Sequence, residues 1–317
     1  MVPWIGTIGP QSRRRSNPGP FTLEVTMKIA LVGATGNVAG RTLEKLVASE
    51  AQVVVLARHP EKLPEALRSK VRVEQGALED RAFVVRATRD AEALLWLTPG
   101  TFAAEDFRAY TLLLAESGVQ AIRENRIPRV VFVSSHGAQR SDFGQVSFAG
   151  EVEQLLAAAA PHSVALRSAG FMENLFASVE ALKNGQLFGV LPPTKRYPLV
   201  TARDLGDVAA KWLLDPTWIG HLVRGVHGPA DLTALDQVEI LSRVLSKPIR
   251  YQQIPAEALR EQFQKRGASP SVAAGFVDMF KGFAESDYHP AEQRTAETTT
   301  PTTLETFARE VLAPRLG

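Results

Sequence analysis

The chain has 317 residues, 45% of them hydrophobic and 22% charged, with 23 glycines, 20 prolines and no cysteine. This composition is ample for a packed core, and the missing thiols exclude disulfides, thiolate nucleophiles and cysteine-held zinc or iron–sulfur centres. The formal charge of +2 traces to Arg13, Arg14 and Arg15 against Glu24, so the rest of the chain is formally neutral and offers no basic surface for nucleic acid.

Residues 1–26 are rich in Gly, Pro, Ser and Arg, with no apolar period and no hydrophobic run of the secretory kind. They read as a disordered extension or a mis-called reading frame, with Met27 as the expected natural start. From Lys28 onward, short β-branched runs alternate with amphipathic stretches. Strands are predicted at 28–32, 52–56, 71–74, 91–97, 129–133 and 164–167, and helices at 38–48, 60–68, 81–86, 102–124 and 152–159. Nearly all-apolar runs such as Val53-Val54-Val55-Leu56 and Val130-Val131-Phe132-Val133 predict strands buried on both faces. The fold class is therefore α/β, a doubly wound parallel sheet over residues 27–170. Beyond about Phe171 the pattern changes to helices with scattered short strands, punctuated by proline. Residues 171–317 are expected to form a smaller α/β cap, with some segments returning to the core. No stretch approaches the roughly 18 apolar residues of a membrane span. A cytoplasmic protein without a membrane partner is expected.

The strongest motif is Gly33-Ala34-Thr35-Gly36-Asn37-Val38-Ala39-Gly40, between the first strand and the first helix. Backbone approaches a pyrophosphate closely only where no Cβ intervenes, and the helix N-terminus behind it presents free N–H groups. The placement predicts a Rossmann-type dinucleotide site using Gly33, Thr35, Gly36, Asn37 and Val38. An NAD-selective site would place an acid at the end of the second strand to read the ribose 2′-hydroxyl. Here Leu56-Ala57-Arg58-His59-Pro60 supplies Arg58, a donor fork suited to a 2′-phosphate, and Lys62 adds charge from the next turn. NADPH is expected to bind better than NADH. Leu78, Thr98, Pro99 and Ser134 complete the expected cofactor contacts from the ends of the third, fourth and fifth strands.

With these residues in view, the chain resembles the NmrA-like group of atypical short-chain dehydrogenase/reductases from Met27 to Leu312. The markers are the glycine loop, Ala57-Arg58-His59-Pro60-Glu61-Lys62, Val133-Ser134-Ser135-His136-Gly137-Ala138, and Leu166-Arg167-Ser168-Ala169-Gly170-Phe171-Met172-Glu173-Asn174. Asp204-Leu205-Gly206-Asp207-Val208-Ala209 and Gly228-Pro229-Ala230-Asp231-Leu232-Thr233 extend it into the cap. In Gly76-Ala77-Leu78-Glu79-Asp80, Ala77 stands where the family usually has an aspartate near the adenine.

A second departure is catalytic. Typical short-chain dehydrogenases pair a Tyr with a Lys four residues later to exchange a proton with substrate. Four residues after Tyr110, Tyr197, Tyr251 and Tyr288 stand Leu114, Thr201, Pro255 and Glu292, and alignment on Glu153 puts Gln145 and Ala149 where Tyr and Lys would be. Reversible alcohol–ketone oxidation by the usual tyrosine mechanism is thus not expected. The resemblance implies NADPH-dependent reduction of a quinone-like or other small electrophile. Ser135 and His136 are the candidate catalytic groups, His136 as a proton donor near neutral pH or as an exposed loop residue, and Phe171 and Asn174 are the candidate substrate contacts. The alternative is a catalytically silent NADP(H)-sensing protein acting through a protein partner. The remaining histidines lack paired metal-ligand spacing, and no metal is expected.

Overall fold

The computed structural model describes residues 27–286 and 290–316; the expectations for residues 1–26 lie outside the described residues. The first half alternates as β1 (Lys28–Val32), α1 (Asn37–Ala48), β2 (Gln52–Ala57), α2 (Glu65–Arg68), β3 (Arg72–Gln75) and α3 (Arg81–Ala87). It continues with β4 (Ala93–Trp96), α4 (Phe107–Asn125), β5 (Arg129–Ser135), α5 (Gln145–Ala159) and β6 (His162–Ser168). There follow β7 (Gly170–Phe171), α6 (Val179–Lys183), β8 (Gln186–Gly189), β9 (Tyr197–Val200), α7 (Ala202–Leu214) and β10 (His221–Val226). The chain ends in β11 (Asp231–Leu232), α8 (Ala234–Val244), β12 (Arg250–Gln253), α9 (Glu257–Lys265), α10 (Pro270–Glu285) and α11 (Leu304–Phe307).

The main sheet has seven strands in the order β10-β6-β5-β4-β1-β2-β3, every pairing parallel. Its inner strands β1, β2, β4 and β5 are largely apolar on both faces because both are covered, whereas the edge strands β3 and β10 are polar and partly exposed. Ile29, Leu31, Val53, Val55, Leu95 and Val131 pack with α1 and α7, while Ala30, Val32, Leu94, Trp96, Val130 and Phe132 pack with α3, α4 and α5. The order reverses direction at β1 and β4, which opens a crevice at their carboxyl ends. The segments after Phe171 build a three-stranded sheet β11-β9-β7 and a two-stranded sheet β12-β8, while α7 packs on α1 and β10 pairs with β6.

Three predicted elements shift, each for a local reason. The helix predicted at 60–68 divides at Pro64, which has no N–H to give the ladder. The helix predicted from 102 starts at Phe107, where the Asp106 carboxylate accepts the Ala109 N–H at 2.9 Å as N-cap. The helix predicted from 152 begins two turns earlier, at Gln145. Its early turns are tucked under the β5 loop through Gly150, where a Cβ would stand 1.9 Å from the Ala138 carbonyl oxygen. Gly150→Ala is expected to destabilise the fold by about 1–3 kcal/mol, through displacement of the 136–138 turn, read as a lower urea midpoint.

Candidate functional site

The loop after β1 is shaped for close approach. Gly33 has φ +80°, a left-handed backbone that favours glycine, and a Cβ there would also displace the end of the Leu97 side chain, 2.5 Å away. Gly36 precedes α1 with no side-chain cap, and the first turn has no acidic residue. The ladder begins with Gly40 N–H donating to the Gly36 carbonyl at 2.8 Å, so the amides of Asn37, Val38 and Ala39 precede it. Thr35, Gly36 and Asn37 are exposed while Val38 is buried as the helix's first anchor. The result is an anion cradle of N–H groups at the positive end of a helix dipole.

Around it stand the ends of the neighbouring strands. Arg58 is exposed just past β2, its carbonyl accepting Gln75 Nε2 at 3.4 Å, and Lys62 is exposed in the following turn. Thr98 and Pro99 follow β4, and the Thr98 Oγ1 is buried without a hydrogen-bond partner among the described residues. Ser135 is half-buried, its hydroxyl donating to the His136 carbonyl at 3.2 Å. Phe171 is half-buried against the core beneath α1 and α7, and Asn174 is exposed. These positions share the carboxyl edge of the sheet. Two predicted contacts are otherwise engaged at the side-chain level. Leu78 is buried in the core on the α3–α4 face, leaving only its backbone for a ligand, and the Ser134 hydroxyl donates to Glu153.

His136 requires a correction. It is neither an exposed loop residue nor a proton donor near neutral pH: its side chain is 0% exposed, and burial, reinforced by His227, Arg167 and Arg294, pushes its pKa down to about 3. The chain turns sharply at Gly137, and the His136 ring packs 4.6 Å from that of His227, with neither of its nitrogens hydrogen-bonded among the described residues. Burial also lowers the His227 pKa, helped by Arg294 and opposed by Asp231 and Glu292.

The residues that sequence reasoning passed over are charged and buried. Arg167 on β6 donates Nε and Nη2 to Glu153 of α5 at 2.9 and 2.7 Å, and Nη1 to Glu292 at 2.7 Å and Gln139 at 3.1 Å. Burial alone would lower its pKa, but Glu153 and Glu292 outweigh this and hold it above the usual arginine range. The signal was available: an arginine inside an apolar strand implies a buried partner. Gln145, in the place of the missing tyrosine, turns its amide to the Met279 sulfur at 3.2 Å, under α10. A cleft of about 550 Å³ nearby, lined by Phe143, Phe148, Asp278 and Lys281 among others, has none of the cradle's groups. Among the described residues there is no cluster suited to a metal ion and no helix long and apolar enough to cross a membrane.

The model of the NmrA-like family matches residues 25–308. The chain is 29% identical over 251 residues to a (4-alkanoyl-5-oxo-2,5-dihydrofuran-3-yl)methyl phosphate reductase of Streptomyces griseus, covering 78% of this chain and 84% of that one. It is 22% identical to an NAD(P)H azoreductase of Xenophilus azovorans, over 88% and 95% of the two chains. An NADPH-dependent quinone oxidoreductase of Escherichia coli, solved with NADPH, superposes with a TM-score of 0.75 at 21% identity, over 90% and 99% of the chains, a likeness of fold.

The depressed His136 pKa has a pH consequence. The unfolded chain takes up a proton on this residue below about pH 6.5 and the folded chain does not, so stability falls as pH drops from about 6.5 toward 3. His136→Phe is expected to lessen that fall by up to about 1.4 kcal/mol per pH unit, measured as the difference between urea unfolding of variant and wild type at pH 7 and pH 4.5.

Proposed function

The chain belongs to the NmrA-like family, and from that premise we propose that it is an NADPH-dependent reductase passing hydride to a quinone-like or other small conjugated electrophile. The observation that carries this reading is the uncapped α1 N-terminus behind Gly33 and Gly36, with Arg58 beyond it at the end of β2. The reductase and quinone-oxidoreductase names of its relatives support it. A cytoplasmic setting belongs to the same reading.

In this arrangement the amides of Asn37, Val38 and Ala39, with Thr35 beside them, hold the pyrophosphate. Arg58 and Lys62 take the 2′-phosphate by charge-assisted hydrogen bonds. Thr98, whose buried hydroxyl has no hydrogen-bond partner among the described residues, and Pro99 lie against the cofactor. The Leu78 and Ser134 backbones contribute at its flanks. When bound, the reduced nicotinamide supplies the hydride. Ser135 presents its hydroxyl to the acceptor, and Phe171 and Asn174 bound the acceptor's space.

Two measurements test this. NADPH oxidation followed at 340 nm across quinones, azo dyes and enones is expected to show turnover with at least one class. Tight binding with none consumed would instead favour a dinucleotide-sensing role with a protein partner. Arg58→Asp is expected to weaken NADPH binding roughly 10- to 100-fold and to reverse its order with NADH. An unchanged ratio of dissociation constants would refute the role of Arg58.

A further inference from the structure

The sheet order β4-β1-β2-β3 gives a dinucleotide held at β1 a direction. With the pyrophosphate at the Gly33 loop and the ribose 2′ position at the end of β2, the base extends to the loop leaving β3. In that loop Ala77 has no polar side-chain atom, Leu78 turns into the core, and Asp80 accepts the Phe83 N–H at 3.0 Å as the cap of α3. Glu79 remains. It is half-buried, and it accepts a 2.6 Å hydrogen bond from the Tyr110 hydroxyl on α4. Arg58 acts on both groups as a neighbouring cation. The β2 end, the β3–α3 loop and α4 thus bring a cation, a carboxylate and a phenol to one place.

We propose that Glu79 selects adenine, its carboxylate accepting the exocyclic amine of the base, and that Tyr110 is a positioning residue that fixes the carboxylate. This rests on the cofactor reading above. A carboxylate has about four lone-pair sites, and Tyr110 occupies one of them. Burial, with the Glu79 hydrogen bond and charge adding to it, pushes the Tyr110 pKa up to about 12, so the phenol keeps its proton and remains a donor. A base with a carbonyl in place of the amine would turn an acceptor toward an acceptor.

The test uses NADPH and its hypoxanthine analogue, with dissociation constants measured by calorimetry for wild type, Glu79→Gln and Tyr110→Phe. Wild type is expected to bind the hypoxanthine form about 10- to 100-fold more weakly. In Glu79→Gln the amide can donate to the carbonyl, so the ratio should collapse to about one or invert. Tyr110→Phe should reduce the ratio part of the way, because the carboxylate is present but less fixed. A ratio unchanged in Glu79→Gln while NADPH still binds, or an equal weakening of both dinucleotides, would overturn base selection by Glu79. A wild-type protein that binds neither would overturn the cofactor reading itself.

Discussion

Arg167 is a largely buried cation at the carboxyl end of β6, the strand next to the sheet edge, and the carboxyl edge is organised around neutralising it. Its guanidinium is 11% exposed, and Glu153 and Glu292 are 11% and 8% exposed. Taking such groups out of water costs several kcal/mol each, and removing one partner of a buried pair typically costs about 3–5 kcal/mol. The fold therefore holds α5 and the segment around residue 292 at the end of β6. The same segment is pinned further along: His227 N–H donates to Thr298 O at 2.9 Å, Thr300 N–H donates back to His227 O at 2.7 Å, and the Thr302 hydroxyl donates to Asp204 at 2.8 Å. This lays the chain beside β10 and closes over the two histidines.

That network also decides which hydroxyl of β5 is available. Successive residues of a strand face opposite sides of a sheet. Ser134 falls on the α5 side and is drawn into the Glu153–Arg167 pair, whereas Ser135 is left outside it. The two neighbouring serines are chemically identical in the sequence, and the buried charge separates their roles.

The parts of the fold that could be read from sequence are those whose cause is local. The β1, β2, β4 and β5 runs are apolar because both faces of the sheet are covered there, and the glycine loop is recognisable because Gly33 adopts positive φ. β10 escaped because it is an edge strand with His221 and Val223 exposed, so its pattern lacks the continuous apolar run of the inner strands. The Arg167–Glu292 bond joins positions 125 residues apart, and no periodicity encodes it. His136 was misjudged for the same reason. Its setting depends on the distant His227 and on the turn at Gly137, neither of which leaves a mark on the Ser-Ser-His-Gly segment itself.

The chemistry narrows once these roles are assigned. Tyrosine and lysine are absent from the α5 positions that would carry them, His136 is buried and neutral, and Glu153 is held by Arg167. Among the described residues, Ser135 and Thr98 bring hydroxyls to the crevice beside the Asn174 amide; hydroxyls orient a ligand through hydrogen bonds but are weak acids near neutral pH. A simple ketone reduced in such a site would develop alkoxide charge with no Tyr–Lys pair to meet it. A conjugated acceptor spreads the charge it gains over several atoms, so its anion survives until water protonates it. In the proposed reductase reading, the missing Tyr–Lys pair thus favours extended electrophiles by the same logic that a positioned pair favours alcohols and ketones.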